Sequence, residues 1–265
     1  SVEDEKDLTF LGFLIFTDPP KKDAHKAVNK LKEMGVDVKI LTGDNELVAR
    51  KICDELKVPV KKIVDGEDLT QMSLTEIKAT VEETTIFARI TPEQKLDIIK
   101  ALKENGHVVG FGGDGVNDAP ALKKANIGVS VGNATDVAQE TASLILLDSD
   151  FKTLVNAVEE GRVIFENMKK VVAYVLSNSF AEIFTIFGAI LLGWPAPLGV
   201  AQILWIHLIC DGPSDIVLGF EKGETDVMEE PPKSMKESIL DSRGKILILA
   251  ISIISAVSSL FLFWY

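Results

Sequence analysis

The sequence predicts an α/β domain with a parallel sheet, followed by a transmembrane α-helical segment. Charged residues recur every few positions up to residue 150 and then become scarce, which indicates that the two parts fold in different solvents. Within the first part, short β-rich runs alternate with helical patterns, and this alternation is typical of parallel sheets. We therefore expect residues 1–150 to form the domain, residues 151–170 a stalk helix, and residues 171–265 the membrane segment.

The composition is that of a folded protein and excludes some partners. The hydrophobic fraction of 46% in 265 residues is too high for disorder. The formal net charge of -12 argues against nucleic acid, because a phosphate backbone attracts surplus Lys and Arg. The two cysteines, Cys53 and Cys210, are far apart, so neither a disulfide framework nor a CxxC zinc site is expected. The chain opens without Met or a signal peptide, and we expect it to be cut from a longer polypeptide.

Strands and helices of the first part can be read from the spacing of apolar residues. Helical spacing covers residues 22–35 and 45–57, and a further helix is expected near Lys95. The expected strands are FLGFLIF, VDVKILTG, TIFAR, HVVGFGG, IGVSVG and SLILL. In parallel α/β sheets the ligand binds at the carboxyl ends of the strands, so polar residues that follow these strands are the first candidates for a site.

Polar clusters follow two of these strands. Thr42, Gly43 and Asp44 close one strand, and the glycine-rich stretch after another carries Asp114 and Asp118. Glycines leave backbone amides uncovered and carboxylates suit hard cations, so the pattern favours a phosphate bridged to a cation. A tight surface turn would show a similar pattern. Because both clusters end parallel strands, we expect them to face one crevice.

Lys95 is a third candidate for this crevice. It lies at the start of a helix, just past the expected strand TIFAR, where its ammonium group would meet a phosphate bound at the strand ends. A lysine on a helix is more often only solvated. Its position relative to the two polar clusters favours the functional interpretation.

The second part of the chain contains three long apolar stretches. A helix needs about 20 apolar residues to cross a bilayer, so we expect three membrane spans. They are residues 171–194, 198–220 and 246–265. Charges are few: Glu182 in the first stretch, Asp211 and Asp215 in the second, and none in the third. The core of a large soluble protein is the alternative, but three such stretches in succession argue against it.

Positive charges orient the spans. Lys169 and Lys170 precede the first span, and further lysines and an arginine lie between the second and third. By the positive-inside rule, residues 1–170 and 221–245 are cytoplasmic and the turn at residues 193–199 lies outside. Residues 150–176 contain no proline, so we expect one continuous helix from the domain into the first span rather than a flexible linker.

Ionisable residues within the spans indicate a pathway for ions, because such groups are costly in a bilayer. Four side chains of the second span are spaced to share one helical face: His207, Cys210, Asp211 and Asp215. Gly212 and Pro213 interrupt that helix and would free carbonyl oxygens for a hard cation. Glu182 adds a carboxylate from the first span. The alternative is a buried polar network that joins the helices.

Three motifs together resemble a known family. TGDN, TPEQK and GDGVNDAPALK, in this order, resemble the phosphorylation domain of P-type cation-transporting ATPases, which belong to the haloacid-dehalogenase-like superfamily. TDPPK resembles the hinge to the nucleotide-binding domain, and LGFEKGETDVMEEPPK resembles the loop after the sixth membrane helix. The resemblance implies a haloacid-dehalogenase-like Rossmannoid sheet, and spans similar to the fifth, sixth and seventh helices of the calcium and sodium/potassium branch.

The resemblance also implies roles for residues of the crevice. Thr42, Gly43 and Asp44 would support the phosphate and the nucleotide of ATP, Arg89 would contact the nucleotide, and Lys95 would neutralise charge on the transferred phosphoryl group. The physical logic agrees, because phosphoryl transfer relies on positioned cations and donors around the phosphate oxygens.

The same resemblance implies a magnesium site. Asp114 would bind Mg²⁺, Asp118 would support that site, and Asn117 would hydrogen-bond the phosphate. The family's nucleophile, the aspartate of a DKTGT motif, has no counterpart in this sequence. We expect it upstream, together with the nucleotide-binding and actuator domains and the first four membrane helices, so this chain alone should be inactive.

The membrane residues match calcium pumps only in part. Glu182 and Asp211 match carboxylates that bind the ion in those pumps, whereas Ser179, His207 and Cys210 stand where those pumps have Asn, Asn and Thr. Imidazole and thiol suit softer metals than calcium, and His207 is also a candidate proton site. Calcium or another divalent cation leads, and sodium, protons and manganese stay open.

The implied function is ATP-driven cation transport through an aspartyl-phosphate intermediate, in a multi-pass protein of the plasma membrane in contact with lipid. The alternative is a truncated pseudo-enzyme that acts as a regulatory or assembly subunit. A soluble dehalogenase-like phosphatase fits less well, because it also needs the missing aspartate and has no use for three spans.

Overall fold

The computed structural model describes residues 9, 11, 12, 24–148, 150–223, 232 and 238–265. The hinge-like TDPPK lies outside these residues, as do most of the expected strand FLGFLIF and most of the loop at 224–237.

Strands and helices alternate from residue 24 to residue 148, as expected for an α/β domain. In chain order they are α1 (Ala24–Glu33), β1 (Ile40–Leu41), α2 (Glu46–Leu56), β2 (Ile63–Asp65), α3 (Gly66–Gln71), α4 (Leu74–Glu83), β3 (Ile86–Ala88), α5 (Pro92–Glu104), β4 (Gly110–Gly112), α6 (Ala119–Lys124), β5 (Ile127–Val131), α7 (Asp136–Thr141) and β6 (Leu144–Leu146). Strand β2 was not anticipated, because only two apolar residues, Ile63 and Val64, stand between lysines and an aspartate.

All strand pairs in the described residues are parallel, which confirms the predicted sheet type. They form two three-stranded sheets with the orders β1-β3-β2 and β4-β5-β6. Ile86, Phe87 and Ala88 of the central strand β3 are fully buried, as expected for a parallel strand covered on both faces. Leu41 and Val109 pack against the hydrophobic clusters of both sheets, so the apolar interior is continuous between the two sheets.

A single helix, α8, runs from Phe151 to Leu191 over 41 residues, so the continuous helix expected from the absence of proline is present. The Asp150 side chain begins it by accepting a hydrogen bond from the Lys152 backbone N–H at 3.0 Å. Val155 of α8 is buried in one cluster with apolar residues of α1. Arg162 donates to the Met34 carbonyl oxygen at 2.8 Å, so the start of α8 is fastened to the α/β domain.

The membrane-type part continues with α9 (Val200–Trp205), a π-helical turn (Ile206–Asp211), α10 (Gly212–Gly219) and α11 (Ser242–Trp264). Two described helices are long and apolar enough to cross a membrane, α8 and α11, and an 18-residue stretch in each has a mean hydropathy of 1.5 and 2.7, respectively. The stretch at residues 198–220 is helical but contains the π turn, and its crossing of a membrane stays a prediction, as do the domain boundaries.

The expected interruption at Gly212 and Pro213 takes the form of this π turn. The helix continues through both residues, and the Gly212 backbone N–H donates to the carbonyl of His207, five residues back. Since Pro213 has no N–H, it leaves a carbonyl of the preceding turn without its helical donor. The sequence signal therefore marks a local widening of the helix rather than a break.

Candidate functional site

The TGD loop after β1 is tied to the segment after β3. The Thr42 hydroxyl accepts from the Asp44 backbone N–H at 3.0 Å and donates to the Asp44 carboxylate at 3.1 Å. The backbone N–H groups of Arg89 and Ile90 donate to the carbonyls of Asp44 and Thr42, at 2.8 and 3.1 Å. Gly43 and Asp44 are exposed, so the loop presents its polar groups to solvent at the carboxyl end of the sheet.

Arg89 adopts the left-handed conformation with φ 50, which is uncommon for a residue with a side chain. Its side chain is 60% exposed, and its guanidinium lies 3.8 Å from the Asp65 carboxylate. A Cβ at Gly66 would collide with the Arg89 carbonyl oxygen, and the Gln94 amide donates to the Gly66 carbonyl at 2.7 Å. Asp65, Gly66 and Gln94 therefore shape this loop. Asp65 was not anticipated because strand β2, which it ends, was missed.

Lys95 joins the glycine-rich loop through Asp118. The ammonium lies 2.8 Å from the carboxylate, and the two side chains are only 16% and 12% exposed. A Cβ at Gly113 would lie 2.6 Å from Asp118 Cβ, so the aspartate packs where only glycine leaves space. Lys95 is thus part of a charge pair at the strand ends and not merely a solvated helix residue.

Helix α5 holds Lys95 in this position. Thr91 and Gln94 form a capping box, and Pro92 follows the cap directly. These residues fix where the helix begins, one turn beyond the end of β3. The Lys95 side chain consequently extends from the first helical turn toward the glycine-rich loop.

Asp114 and Asn117 are exposed beside this charge pair. The Asp114 carbonyl accepts from the backbone N–H and the hydroxyl of Thr135, at 3.0 and 3.2 Å, which fixes the backbone of the loop. The Asp114 carboxylate forms no hydrogen bond or ion pair with any described residue and is therefore available to a ligand. Thr135 was not anticipated, because the sequence between it and Asp114 gives no periodic signal.

A magnesium ion fits this arrangement. Mg²⁺ is commonly held by one or two carboxylates together with phosphate oxygens and water, and Asp114 offers one uncommitted carboxylate. Within the described part of the chain, no group of three or more His, Cys, Asp and Glu side chains is placed to hold a metal. The ion would therefore need phosphate oxygens and water for the rest of its coordination.

A second set of polar side chains lies between α8 and the π turn, and we call it the membrane polar cluster: Tyr174, Asn178, Glu182, His207 and Asp211. Asp211, 6% exposed, accepts at Oδ1 from the Asn178 amide at 2.9 Å and from the Tyr174 hydroxyl at 3.4 Å. His207 Nδ1 lies 3.0 Å from Asp211 Oδ2, and Nε2 lies 3.2 Å from Glu182 Oε2. The two predicted carboxylates are thus brought together through one histidine.

Other predicted membrane residues stay outside this cluster. Cys210 is exposed, because a π turn takes more residues per turn, so a side chain at i+3 misses the face that i+4 reaches. Ser179 is half-buried and its hydroxyl has no hydrogen bond with the described residues. Asp215 Oδ1 and Glu182 Oε1 are buried and have no hydrogen-bond partner in the described part of the chain.

Tyr174 and Asn178 were not among the residues predicted from the sequence, although a signal was present. Together with Glu182 they lie at i, i+4 and i+8 of the same helix, which places all three on one face of α8. Their polar character within an apolar stretch would have identified them as partners of the carboxylate.

Family models match three regions of the chain. Residues 2–126 and residues 97–158 match descriptions of haloacid dehalogenase-like hydrolases. Residues 195–265 match the C-terminus of cation transporting ATPases. The matches thus cover both the α/β domain and the membrane-type part.

Curated relatives extend over most of the chain. It is 44% identical over 238 residues to a calcium-transporting ATPase of Bacillus subtilis (strain 168), covering 89% of this chain and 27% of the relative. It is 43% identical over 260 residues to calcium-transporting ATPase type 2C member 1 of Homo sapiens, covering 97% and 28%. The chain therefore spans little more than a quarter of the length of these relatives.

A solved structure is similar in fold. A zinc-transporting PIB-type ATPase in an E2.Pi state matches 76% of this chain and 27% of its own length, with 28% identity and a TM-score of 0.54. The parallel-sheet domain, the TGD and glycine-rich loops and the membrane-capable helices are all contained in these matches. The chain belongs to the P-type cation-transporting ATPase family.

Proposed function

We propose that this chain is part of an ATP-driven cation pump that works through an aspartyl-phosphate, and that its cargo is a divalent cation, calcium first. The observation that carries the proposal is helix α8. It is packed on the α/β domain through Val155 and supplies Glu182 to the membrane polar cluster. A rigid helix transmits displacement along its length, so the phosphate site and the cation site would be coupled. The names of the relatives favour calcium as the cargo.

At the phosphate site, each residue would act on ATP bound at the strand ends. Thr42 and Asp44 would position the nucleotide and the phosphate, and Asn117 would donate to a phosphate oxygen. Lys95, held by Asp118 at 2.8 Å, would offset negative charge on the phosphoryl group during transfer. Mg²⁺, held through Asp114, would supply further neutralisation of phosphate charge.

The nucleophile would come from another part of the pump, because no DKTGT motif occurs in this sequence. Among the described strands, β1 pairs with β3 alone and β4 with β5 alone. Both unpaired edges belong to strands that end at the candidate phosphate site. A strand placed between them would deliver an aspartate beside Lys95 and Asp114.

The polar part of the chain would lie in the cytoplasm, where ATP is available. We assign residues 1–170 and 221–245 to that side from the positive charges, and we propose the plasma membrane as the location. The missing actuator domain, nucleotide-binding domain and four helices would be supplied by the same pump.

The test is vanadate-sensitive ATP hydrolysis by the full-length pump in vesicles, measured with Ca²⁺, Mn²⁺ and Na⁺ and at several pH values. Stimulation by Ca²⁺ that disappears in Asp211→Asn would support the proposal, because the variant keeps the shape of the side chain but loses its charge. Failure of every cation to stimulate hydrolysis would contradict it.

A further inference from the structure

We propose that the imidazole of His207 occupies the cation position between Glu182 and Asp211, so that an incoming cation must displace it. This inference rests on the proposed transport function. Each ring nitrogen lies within hydrogen-bonding distance of a carboxylate from a different helical segment, 3.0 Å from Asp211 Oδ2 and 3.2 Å from Glu182 Oε2. The ring thus bridges the two carboxylates that a transported cation would need.

The bridge leaves few carboxylate oxygens available to a cation. Asp211 Oδ2 is taken by the histidine, and Oδ1 accepts from Asn178 and Tyr174. Glu182 Oε2 lies in an ion-pair contact with the histidine at 3.2 Å, whereas Oε1 is buried and has no hydrogen-bond partner among the described residues. A cation that entered this arrangement would find one uncommitted oxygen of the two carboxylates, which is too few for a calcium ion that takes roughly six to eight oxygen ligands.

The geometry also separates the carboxylates. A cation that ligates both would hold each oxygen at roughly 2.3–2.6 Å. An imidazole ring with one contact on each side keeps the oxygens farther apart than a shared ion would. Binding therefore requires the ring to leave and the carboxylates of α8 and the π turn to approach each other.

The imidazole is less enclosed by this chain than the carboxylates are. The His207 side chain is 44% exposed, whereas those of Glu182 and Asp211 are only 15% and 9% exposed. Within this chain, the ring is therefore packed less tightly than the two groups that it bridges. Until it is displaced, Nδ1 of the ring gives the enclosed Asp211 Oδ2 a hydrogen-bond partner.

The test is the apparent affinity of the full-length pump for Ca²⁺ and Mn²⁺, taken from the cation dependence of ATP hydrolysis in His207→Ala. Removing the occupant leaves both carboxylates available, so half-maximal stimulation is expected at a cation concentration roughly ten-fold lower, the scale set by one hydrogen bond to a charged group. The maximal rate is expected to change much less.

Two further variants sharpen the measurement. His207→Gln keeps a contact to Asp211 at i+4 but cannot bridge to Glu182, so an intermediate affinity is expected, and it serves as the test if the alanine variant does not fold. Ser214→Ala is the matched control on the same segment, because among the described residues the Ser214 hydroxyl bonds only to the Cys210 carbonyl, at 2.9 Å. Its cation affinity should equal that of the wild type.

The outcomes separate this inference from the proposed function. If Ca²⁺ or Mn²⁺ stimulates ATP hydrolysis by the wild type and the cation affinity of His207→Ala is unchanged or weaker, the proposed transport function is supported. The proposal that His207 occupies the cation position is then overturned. Weaker affinity would make the imidazole a cation ligand. If neither cation stimulates the wild type, the proposed function fails, and the inference fails with it.

Discussion

The Lys95–Asp118 pair is the strongest electrostatic feature of the candidate phosphate site. Both side chains are largely buried, at 16% and 12% exposure, with 2.8 Å between the charged atoms. In such a setting, loss of one partner leaves an uncompensated charge in a poorly solvated place. The pair therefore fixes the lysine before any phosphate arrives, and the lysine needs little reorganisation during phosphoryl transfer.

We expect Lys95→Met in the full-length pump to lower the maximal rate of ATP hydrolysis by roughly two to three orders of magnitude, the usual effect of removing one preorganised donor to a developing charge. Steady-state hydrolysis measures it. The control is Lys100→Met on the same helix, whose ammonium pairs with Asp97 at the surface, at 2.9 Å. Equal rates in the two variants would contradict the role of Lys95.

A surface cluster on the α/β domain, formed by Glu82, Asn105 and His107, predicts a pH dependence of the stability. A hydrogen bond from Asn105 lowers the pKa of Glu82 below its ordinary value, assisted by His107. A carboxyl group with a lowered pKa stabilises the folded state above its unfolded-state pKa, and this contribution is lost as the pH falls through the folded-state pKa.

Glu82→Gln should therefore be less stable than the wild type at pH 7, by less than about 1 kcal/mol because the group is half-exposed and screened by solvent. The difference should vanish at a pH below the lowered pKa. Thermal unfolding of the purified chain in detergent at several pH values measures this. A difference that stays constant with pH would show that the charge of Glu82 is not the cause.

At the scale of elements, α8 is the connection between the two parts of the chain. Its first turns are fastened to the α/β domain through Arg162. Farther along, the buried Asn167 amide donates to the Glu221 carbonyl at 2.7 Å, and Lys170 pairs with the Glu221 carboxylate at 2.6 Å. The helix thus holds the C-terminal end of α10 as well as the domain.

Two glycines inserted after Asn167 should uncouple ATP hydrolysis from transport in the full-length pump. The insertion rotates and loosens the helix between the domain and the membrane polar cluster, because glycine is a poor helix former. Ions transported per ATP hydrolysed is the quantity to measure. The control is an insertion of two glycines after Gly106, in an exposed turn with open space around it. An unchanged ratio for the insertion after Asn167 would argue against α8 as a rigid connection between ATP hydrolysis and transport.

At the scale of the whole molecule, the chain holds a candidate phosphate site without a nucleophile. We expect the isolated chain in detergent to form no acid-stable phosphoenzyme from labelled ATP, since no DKTGT aspartate is present. The full-length pump under the same conditions is the positive control. Labelling of the isolated chain would show that another residue accepts the phosphoryl group.

Much of the fold followed from local patterns. Helix α5 could be anticipated because a capping box and a proline mark its start, and α8 because no proline interrupts it. Strand β2 could not, because two apolar residues carry too little periodicity. The π turn was also out of reach, since a glycine and a proline indicate only that regular α-helical bonding is disturbed.

The sequence by itself determined the division into a polar α/β part and an apolar helical part, and the segments after the strands that carry Asp44, Lys95 and Asp114, because solvent preference and strand-end motifs are local properties. Only the tertiary structure decided that Lys95 pairs with Asp118 and that His207 lies between Glu182 and Asp211. These contacts join residues on separate elements. Their geometry depends on how helices pack and how a π turn rotates side chains, which spacing along one chain does not specify.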